Sequence, residues 1–452
     1  MMLKIPNNLL SDGMILQRDL PVKIWGVAAH NAPVSIEADW LMDHRETSCD
    51  AQGHWEITLE ASSSQKSHQI VISSGSEKLR IQNILFGEVW LASGQSNMEM
   101  PLDGEIWDFP IYDADKHISE AHNPNIRMFM IDKATQTEPG EVILGTWQET
   151  TPENIKEFSA SGYFFAKNLH ETLNVPIGII NASMSATAIE SWSPQASVQR
   201  LGVAYDYDAP DDLEPAFPSG LYNGVIHPLR HYAIKGVIWY QGESNVAWSE
   251  AYRLQFPEMI SAWRSLWGLG DFPFYFVQLA PHVYETPGQV ALLRDAQTQT
   301  FRSVDNTGMV VITDLGDPND VHPRAKAPVG QRLAKWALAK TYGQRDIVFS
   351  GPHVKQVHRE GSQLRLEFEA WSLTGSLMLV EVSASQFELA DVEGDWHSAS
   401  VRIDDQDLLI HCDKVKNPMA LRYAWSDFPE TQLTNAEGLP ATPFLIKVED
   451  LA

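Results

Sequence analysis

Hydrophobic and polar residues alternate along the first 85 positions of the chain. Apolar side chains occupy every second position in short runs such as Val34 and Ile36, or Ile70 and Ile72. A period of two is typical of strands that bury one face and expose the other. The pattern therefore predicts a small antiparallel β-sandwich-like module over residues 1–85.

The pattern changes between residues 86 and 345, where near-continuous apolar runs alternate with longer amphipathic segments. Apolar runs of this kind are typical of parallel strands covered on both faces, joined by helices. The predicted strands are 89–92, 176–181, 234–240, 273–279 and 309–313. The predicted helices are 161–174, 247–267 with a kink or break at Pro257, 290–304, and 329–342.

Alternation returns after residue 346, for example at Leu364, Leu366 and Phe368. It predicts a second β module over residues 346–452. The chain is therefore expected to be an α/β protein whose parallel-sheet domain, residues 86–345, lies between two β modules.

Each predicted strand of the middle domain is followed by a polar cluster. In chain order the clusters read GQSN, NASMSAT, QGESN, APH and DLGDPNDVHP. Ligands bind in open α/β sheets outside the carboxyl ends of the strands, so these clusters predict a crevice lined with polar groups. The long loop 193–219 is predicted to be a lid or binding loop.

The charge and the cysteine content of the chain exclude some classes of binding partner. There are 33 basic and 59 acidic residues, which gives a net charge of -26. Such a surface repels nucleic acid backbones and anionic membranes. Cys49 and Cys412 are the only cysteines and lack the Cys-x-x-Cys spacing of a metal site. Both are interpreted as free thiols, with a disulfide between them as the alternative. The amino-terminal segment lacks the apolar region of a signal peptide, which favours a cytoplasmic location; a secreted or periplasmic location is the alternative if a leader was removed.

Ser96 and His322 are the candidate nucleophile and general base. Ser96 follows the first strand of the middle domain, although a serine there can also serve only as a turn residue or helix cap. His322 follows the fifth strand, which places it at the same edge of the predicted sheet. A serine needs such a base to become nucleophilic, and a carboxylate from Asp314, Asp317 or Asp320 could orient the imidazole.

Acyl transfer also requires donors for the developing oxyanion, each of which is worth about 3 to 4 kcal/mol of barrier. The strand ends offer several. They are the backbone amides of Ser96, Ser185, Ala186 and Gly242, and the side chains of Gln241 and Asn245.

Seven stretches resemble the sialate O-acetylesterase family, a branch of the SGNH hydrolases. They are GEVWLASGQSNMEMPL, LYNGVIHPL, IKGVIWYQGESN, LRDAQ, DLGDPNDVHPRAKAPVGQRLA, RYAW and NAEGLPATPF. The resemblance covers nearly the whole chain. It implies a three-layer hydrolase core flanked by β modules, no metal, and removal of acetyl groups from sugar hydroxyls.

The resemblance also implies roles for individual residues. Ser96 is the implied nucleophile and His322 the implied base, with Ser96, Ser185 and the Gln241-Gly242 pair around the oxyanion. Many SGNH hydrolases carry the acid three residues before the histidine, where this chain has Asn319. The acid is therefore left open between Asp320, Asp317 and Glu243, in that order of preference.

A second departure from the family concerns the loop after the second strand. The family pattern Trp-Gly-Gly-Thr is replaced by Met184, Ser185, Ala186 and Thr187. A left-handed conformation costs a non-glycine residue about 1 to 2 kcal/mol, which is less than the loss of an oxyanion donor. The oxyanion hole is therefore expected to be retained, with a narrower acyl pocket.

Substrate contacts are expected from residues near the strand ends. The candidates are Gln95, Asn97, Tyr222, Asn223 and Glu243, of which Gln95 and Asn97 could equally orient the nucleophile loop.

The hypothesis from the sequence is a serine esterase that deacetylates carbohydrate, either sialic acid or a plant-type polysaccharide. Two alternatives are a non-catalytic carbohydrate-binding protein on the same scaffold and an SGNH esterase for short-chain esters that are not sugars.

Overall fold

The structure is a computed structural model that describes residues 2–104, 110–202, 217–373 and 375–447. Its contacts divide the chain into two compact units, neither of which is continuous in sequence. Unit 1 comprises residues 1–241, 257–274 and 326–334, and unit 2 comprises 242–256, 275–325 and 335–452. The domain boundaries predicted at residues 85 and 345 stay predictions.

The amino-terminal part of unit 1 is built from short strands, most of which expose alternate residues. Strands β3, β4, β6 and the start of β7 pair antiparallel, and β2 and β5 form a separate antiparallel ribbon. The strands are β1 (Ile15–Gln17), β2 (Val22–Val27), β3 (Pro33–Ala38), β4 (Arg45–Ser48), β5 (His54–Leu59), β6 (His68–Ser74) and β7 (Glu77–Gly94).

Strand β7 is 18 residues long and belongs to two layers of unit 1. Its first half alternates between exposed and buried residues and pairs with β6, whereas residues 84–94 are buried without interruption. The buried half is an inner strand of the central sheet of unit 1 and is called the central strand below. One strand therefore continues from the amino-terminal module to the position of Ser96.

The central sheet of unit 1 has the strand order β11-β7-β10-β8-β9. Strands β11, β7, β10 and β8 run parallel, and β9 pairs antiparallel with β8. The expected parallel sheet is therefore a mixed sheet, and two of its strands were not predicted. The added strands are β8 (Asn123–Ile131), β9 (Gly145–Thr150), β10 (Ile177–Ser183) and β11 (Gly236–Tyr240).

Seven α-helices lie within the described residues, and three of the four predicted helical segments end within a few residues of the prediction. Helix α3 begins where the Ser159 hydroxyl accepts a 3.0 Å hydrogen bond from the Gly162 amide. The helices are α1 (Ser96–Glu99), α2 (Ala114–Ser119), α3 (Ala160–Leu173), α4 (Gln195–Leu201), α5 (Ser249–Trp267), α6 (Gln289–Ser303) and α7 (Lys326–Trp336).

Two helix predictions can be made more precise. Helix α5 runs through Pro257 as a single element, so of the predicted kink or break the break is absent, and the kink stays a prediction. Helix α7 ends at Trp336, where the chain widens into a π-helical turn over Ala337–Thr341. Of the predicted lid 193–219, residues 203–216 lie outside the described residues.

Unit 2 contains a pair of hydrogen-bonded strands, β12 (Phe274–Val277, of which residues 275–277 belong to this unit) and β13 (Thr307–Val310), together with helix α6. The Asp427 carboxylate accepts hydrogen bonds from the amides of Gly288 and Val290 at the start of α6. These bonds satisfy amides that have no partner inside the helix.

The carboxyl-terminal strands of unit 2 form small antiparallel sheets around one apolar core, which includes Leu364, Leu366, Phe387 and Phe444. They confirm the strand pattern predicted from the alternation. The strands are β14 (Val354–Glu360), β15 (Gln363–Phe368), β16 (Leu377–Leu379), β17 (Phe387–Ala390), β18 (Trp396–Ser398), β19 (Ser400–Asp404), β20 (Asp407–His411), β21 (Ala420–Tyr423), β22 (Leu433–Asn435) and β23 (Phe444–Lys447). Cys49 is buried and Cys412 half-buried, both as free cysteines.

Candidate active site

Three strand ends of unit 1 meet at Gly94, the last residue of β7. The amide of Gln95 donates to the Tyr240 carbonyl, and the amide of Met184 donates to the Gly94 carbonyl, each at 3.0 Å. Gly94 has φ +136°, and a Cβ atom placed there would lie 2.1 Å from the Tyr240 oxygen. Only glycine allows the strands to approach so closely at the point where the chain turns toward Ser96.

We expect Gly94→Ala to lower the free energy of unfolding by about 2 kcal/mol, because the added methyl group overlaps the backbone of β11. The measurement is chemical denaturation of both proteins. Gly75→Ala is the matched control, since Gly75 also has a positive φ but no atom within 4 Å of the added Cβ. Its cost should be about 1 kcal/mol, from backbone conformation alone. Equal losses in the two variants would contradict the steric explanation.

Ser96 begins the short helix α1 directly after this turn. The turn is closed by hydrogen bonds from the Glu99 amide to the Gln95 carbonyl and from the Met100 amide to the Ser96 carbonyl. Gln95, Ser96 and Asn97 are all buried, and Ser96 retains an exposed fraction of 5%. The structure thus places Ser96 at the carboxyl end of the central strand.

Asn97 is bound by a buried lysine that the sequence analysis did not single out. The Lys326 ammonium donates a 2.5 Å hydrogen bond to Asn97 Oδ1 and lies 5.2 Å from the centroid of the Tyr240 ring. Lys326 is fully buried. Burial of an ammonium is costly unless it forms hydrogen bonds or contacts an aromatic ring. Here both contacts are made next to the candidate nucleophile.

Glu99 ties the nucleophile turn to the loop after β10. Its Oε2 atom accepts hydrogen bonds from the amide and the hydroxyl of Ser185, each at 2.5 Å. Its other oxygen forms an ion pair with the Lys133 ammonium. Burial lowers the pKa of Lys133 to about 8, and the carboxylate beside it favours the charged form at pH 7. The amide of Ser185, predicted as an oxyanion donor, is therefore bound to Glu99 in this structure.

Other predicted site residues hold neighbouring loops of unit 1 together. The Gln241 side chain is buried and donates to the Thr187 carbonyl at 3.1 Å. The Asn223 side chain donates to the carbonyls of Gln136 and Thr137. Tyr222 is nearly buried, and its pKa is raised by burial. These contacts fix the loops that follow β10 and β11.

In unit 2 the structure brings His322 and Asp320 together. The Asp320 Oδ1 atom lies 3.3 Å from His322 Nδ1 and accepts the backbone amide of His322 at 2.9 Å. The Asp317 carboxylate accepts the amide of Asn319 at 2.9 Å. Of the two aspartates preferred from the sequence, Asp320 is therefore the one whose carboxylate lies beside the His322 imidazole.

Gly242 and Glu243 also lie in unit 2. Gly242 has φ +149°, and a Cβ atom there would lie 2.7 Å from the Leu293 side chain. Glu243 begins a 3-10 turn over Glu243–Trp248. Burial raises the pKa of Tyr284, and the charge of Glu243 raises it further. A side chain at position 242 is therefore excluded by both conformation and space.

Among the residues that the structure describes, no cluster of three or more histidine, cysteine or acidic side chains is arranged to hold a metal ion. In the same part of the chain, every helix is too short or too polar to cross a membrane.

Comparison with known proteins places the chain in a family. Residues 87–339, more than half of the chain, match the family described as carbohydrate esterase, sialic acid-specific acetylesterase. The sialate O-acetylesterase of Homo sapiens is 29% identical over 490 residues, which cover 98% of this chain and 92% of the human protein. The sialate O-acetylesterase of Mus musculus is 28% identical over 513 residues, which cover 96% of this chain and 93% of the mouse protein.

A solved structure extends the likeness to the complete fold. The crystal structure of a carbohydrate acetylesterase from Xanthomonas citri superposes with a TM-score of 0.90 at 35% identity, covering 99% of this chain and 100% of the other.

The α/β fold, with a serine at the end of its central strand, and these likenesses define an enzyme of the carboxylic ester hydrolase class. The chain belongs to the sialic acid-specific acetylesterase family of carbohydrate esterases. This confirms the predicted family, the fold class and the carbohydrate O-deacetylating activity.

Proposed function

We propose that this enzyme removes O-acetyl groups from carbohydrates through an acyl-enzyme on Ser96, with His322 as general base. The observation that carries the proposal is the position of Ser96 in a tightly closed turn at the carboxyl end of the central strand. A hydroxyl held there is presented at the edge of the sheet where α/β enzymes bind their ligands.

Chain connectivity supports His322 as the partner of Ser96. Lys326 is anchored on Asn97, the residue after the nucleophile, and His322 is four residues upstream of Lys326. Four residues span at most about 14 Å. The anchor therefore limits how far the histidine can be from the serine.

Asp320 is proposed as the acid of the triad. Its contact with His322 Nδ1 leaves Nε2 as the basic nitrogen, and its bond to the His322 amide holds the backbone as well as the ring. A carboxylate in this position stabilises the imidazolium that forms when the serine loses its proton.

The reaction then follows from these roles. His322 takes the proton of the Ser96 hydroxyl while Oγ attacks the acetyl carbon, and the tetrahedral intermediate releases the sugar hydroxyl after it receives that proton. Water, deprotonated by His322, attacks the acetyl-serine and releases acetate. The proposed oxyanion donors are the amides of Ser96 and Gly242, the Gln241 side chain, and the Ser185 amide once it leaves Glu99.

The substrate class is an O-acetylated sugar, and the sugar itself is either sialic acid or the backbone of a plant-type polysaccharide. Acetate release from a panel of acetylated sialic acids, xylans and xyloglucans distinguishes the two. The smaller acyl pocket expected from Ser185 and Ala186 should also reject acyl chains longer than about four carbons, which aryl esters of increasing chain length would measure.

A fluorophosphonate probe tests the nucleophile directly. The probe should add one covalent label, and peptide mapping should locate it on Ser96. A label on another serine, or hydrolysis of aryl acetate by a protein that the probe does not modify, would refute the assignment.

A further inference from the structure

A groove in unit 1, lined by Trp25 and His231 among others, shares no residue with the nucleophile turn. Its volume is about 770 Å³. Pockets for small ligands have volumes of about 300 to 1,000 Å³. The groove is therefore large enough for one or two sugar rings.

One wall of the groove is formed by one face of the β2–β5 ribbon, as the strand register shows. Trp25 pairs with Glu56, and Val27 pairs with His54, so all four side chains project from the same face of the ribbon. Val22 and Ile24 lie on the opposite face of β2 and are buried. Trp25 remains half-buried, and its ring lies 5.5 Å from that of His231 at an angle of 48°.

The charges along the groove are balanced. The Glu56 carboxylate lies 3.2 Å from the Lys23 ammonium and 3.4 Å from His231 Nδ1. The Glu141 carboxylate is bound by Arg230 at 2.6 Å. Burial, together with the charge of Arg230, lowers the pKa of His231, so its ring is neutral at pH 7. Asp50 and Lys4 add one further charge of each sign.

This combination suits an uncharged ligand that has an apolar face and many hydroxyl groups. The tryptophan ring offers a flat apolar surface, and the carboxylates and the neutral imidazole offer hydrogen-bond acceptors at its edge. A neutral pyranose has C–H groups on its faces and hydroxyl donors at its rim. An anionic sugar would meet three lining carboxylates, Asp50, Glu56 and Glu141, against the single lining ammonium of Lys4.

We propose that this groove binds neutral sugar units of a polysaccharide, as a second binding site on the enzyme. The part of the proposal that concerns substrate rests on the proposed function, because it makes the bound polymer the one that is deacetylated. The binding itself does not depend on catalysis.

The experiment compares the wild-type enzyme with Trp25→Ala by isothermal titration calorimetry with cellohexaose, xylohexaose and mannohexaose. At least one of these neutral oligosaccharides should bind with a Kd of about 1 mM or lower, and Trp25→Ala should weaken that binding at least tenfold. Trp25→Phe should retain part of it, because a smaller aromatic face remains. Aryl acetate hydrolysis should be unchanged in both variants.

Trp40→Ala is the matched control, since Trp40 is another half-buried tryptophan of the amino-terminal part of the chain and does not line this groove. It should leave oligosaccharide binding unchanged. Unaltered binding by Trp25→Ala, absence of binding by all three oligosaccharides, or equal affinity for a sialylated oligosaccharide would overturn the proposal. Absence of aryl acetate hydrolysis in the wild type would instead refute the proposed function.

Discussion

Replacing Ser96 with alanine should lower kcat/KM for an aryl acetate by at least about 100-fold, and by as much as about 10,000-fold if the remaining donors contribute little. The variant lacks the oxygen that attacks the acetyl carbon, whereas the turn that carries it is held by backbone hydrogen bonds at Gln95 and Met100. The fold should therefore persist. The measurement is initial rates of aryl acetate hydrolysis, with thermal unfolding recorded on the same samples.

Ser93→Ala is the matched control for Ser96→Ala. Ser93 lies three residues earlier, in strand β7, and its buried hydroxyl has no hydrogen-bond partner within the described residues. Removal of an unpaired hydroxyl should be nearly neutral for stability and for rate. If Ser96→Ala retained the wild-type rate, or if Ser93→Ala lost as much activity, Ser96 would not be the nucleophile.

The apolar runs in the sequence were sufficient to predict three of the four parallel strands of the central sheet of unit 1. The second half of β7 and strands β10 and β11 are buried on both faces, so their sequences contain almost no polar interruption. Strand β8 escaped prediction because Arg127 interrupts its apolar run. In the structure Arg127 is buried and donates to the carbonyls of Gly13 and Asn83. Hydrogen-bond partners so distant in sequence leave no local sequence pattern from which a buried arginine could be predicted.

Strand β9 was missed for a different reason. Only the two terminal residues of Gly145–Thr150 are buried, and the strand lies at the antiparallel edge of the sheet. An edge strand that is half-exposed needs few apolar residues, so its sequence resembles a loop. The resulting sheet is mixed, although each strand that was predicted does exist.

The candidate site could be predicted as far as local sequence determines it. The turn at Ser96 and the proximity of Asp320 to His322 depend on neighbouring residues, and both follow from motifs. The bond between Asn97 and Lys326 joins residues 229 positions apart, and that between Glu99 and Ser185 joins residues 86 apart. Such bonds depend on strand order, which the motifs do not specify.

Replacing Lys326 with methionine should lower kcat for aryl acetate by up to about 100-fold while KM changes little. A hydrogen bond from a charged group is worth about 1.5 to 3 kcal/mol, and here it holds Asn97 beside the nucleophile. Methionine has a similar length but cannot donate, so it removes the buried charge and also deprives the buried Asn97 oxygen of this hydrogen bond. These two effects oppose one another, so we expect the melting temperature to change by no more than about 5 °C. The loss of activity should therefore be much larger than any loss of stability explains. Steady-state kinetics and thermal unfolding measure the two effects.

Lys116→Met serves as the control for Lys326→Met, because Lys116 is an exposed lysine of helix α2 in the same unit. It should leave both kcat and the melting temperature unchanged. Lys326→Arg provides a second comparison, since it keeps the charge but not the compact ammonium, and it should recover only part of the rate. If Lys326→Met lost stability in proportion to activity, Lys326 would support the fold in general. Lost activity in a protein whose melting temperature stays within about 5 °C of the wild type would show that its bond to Asn97 positions the nucleophile turn.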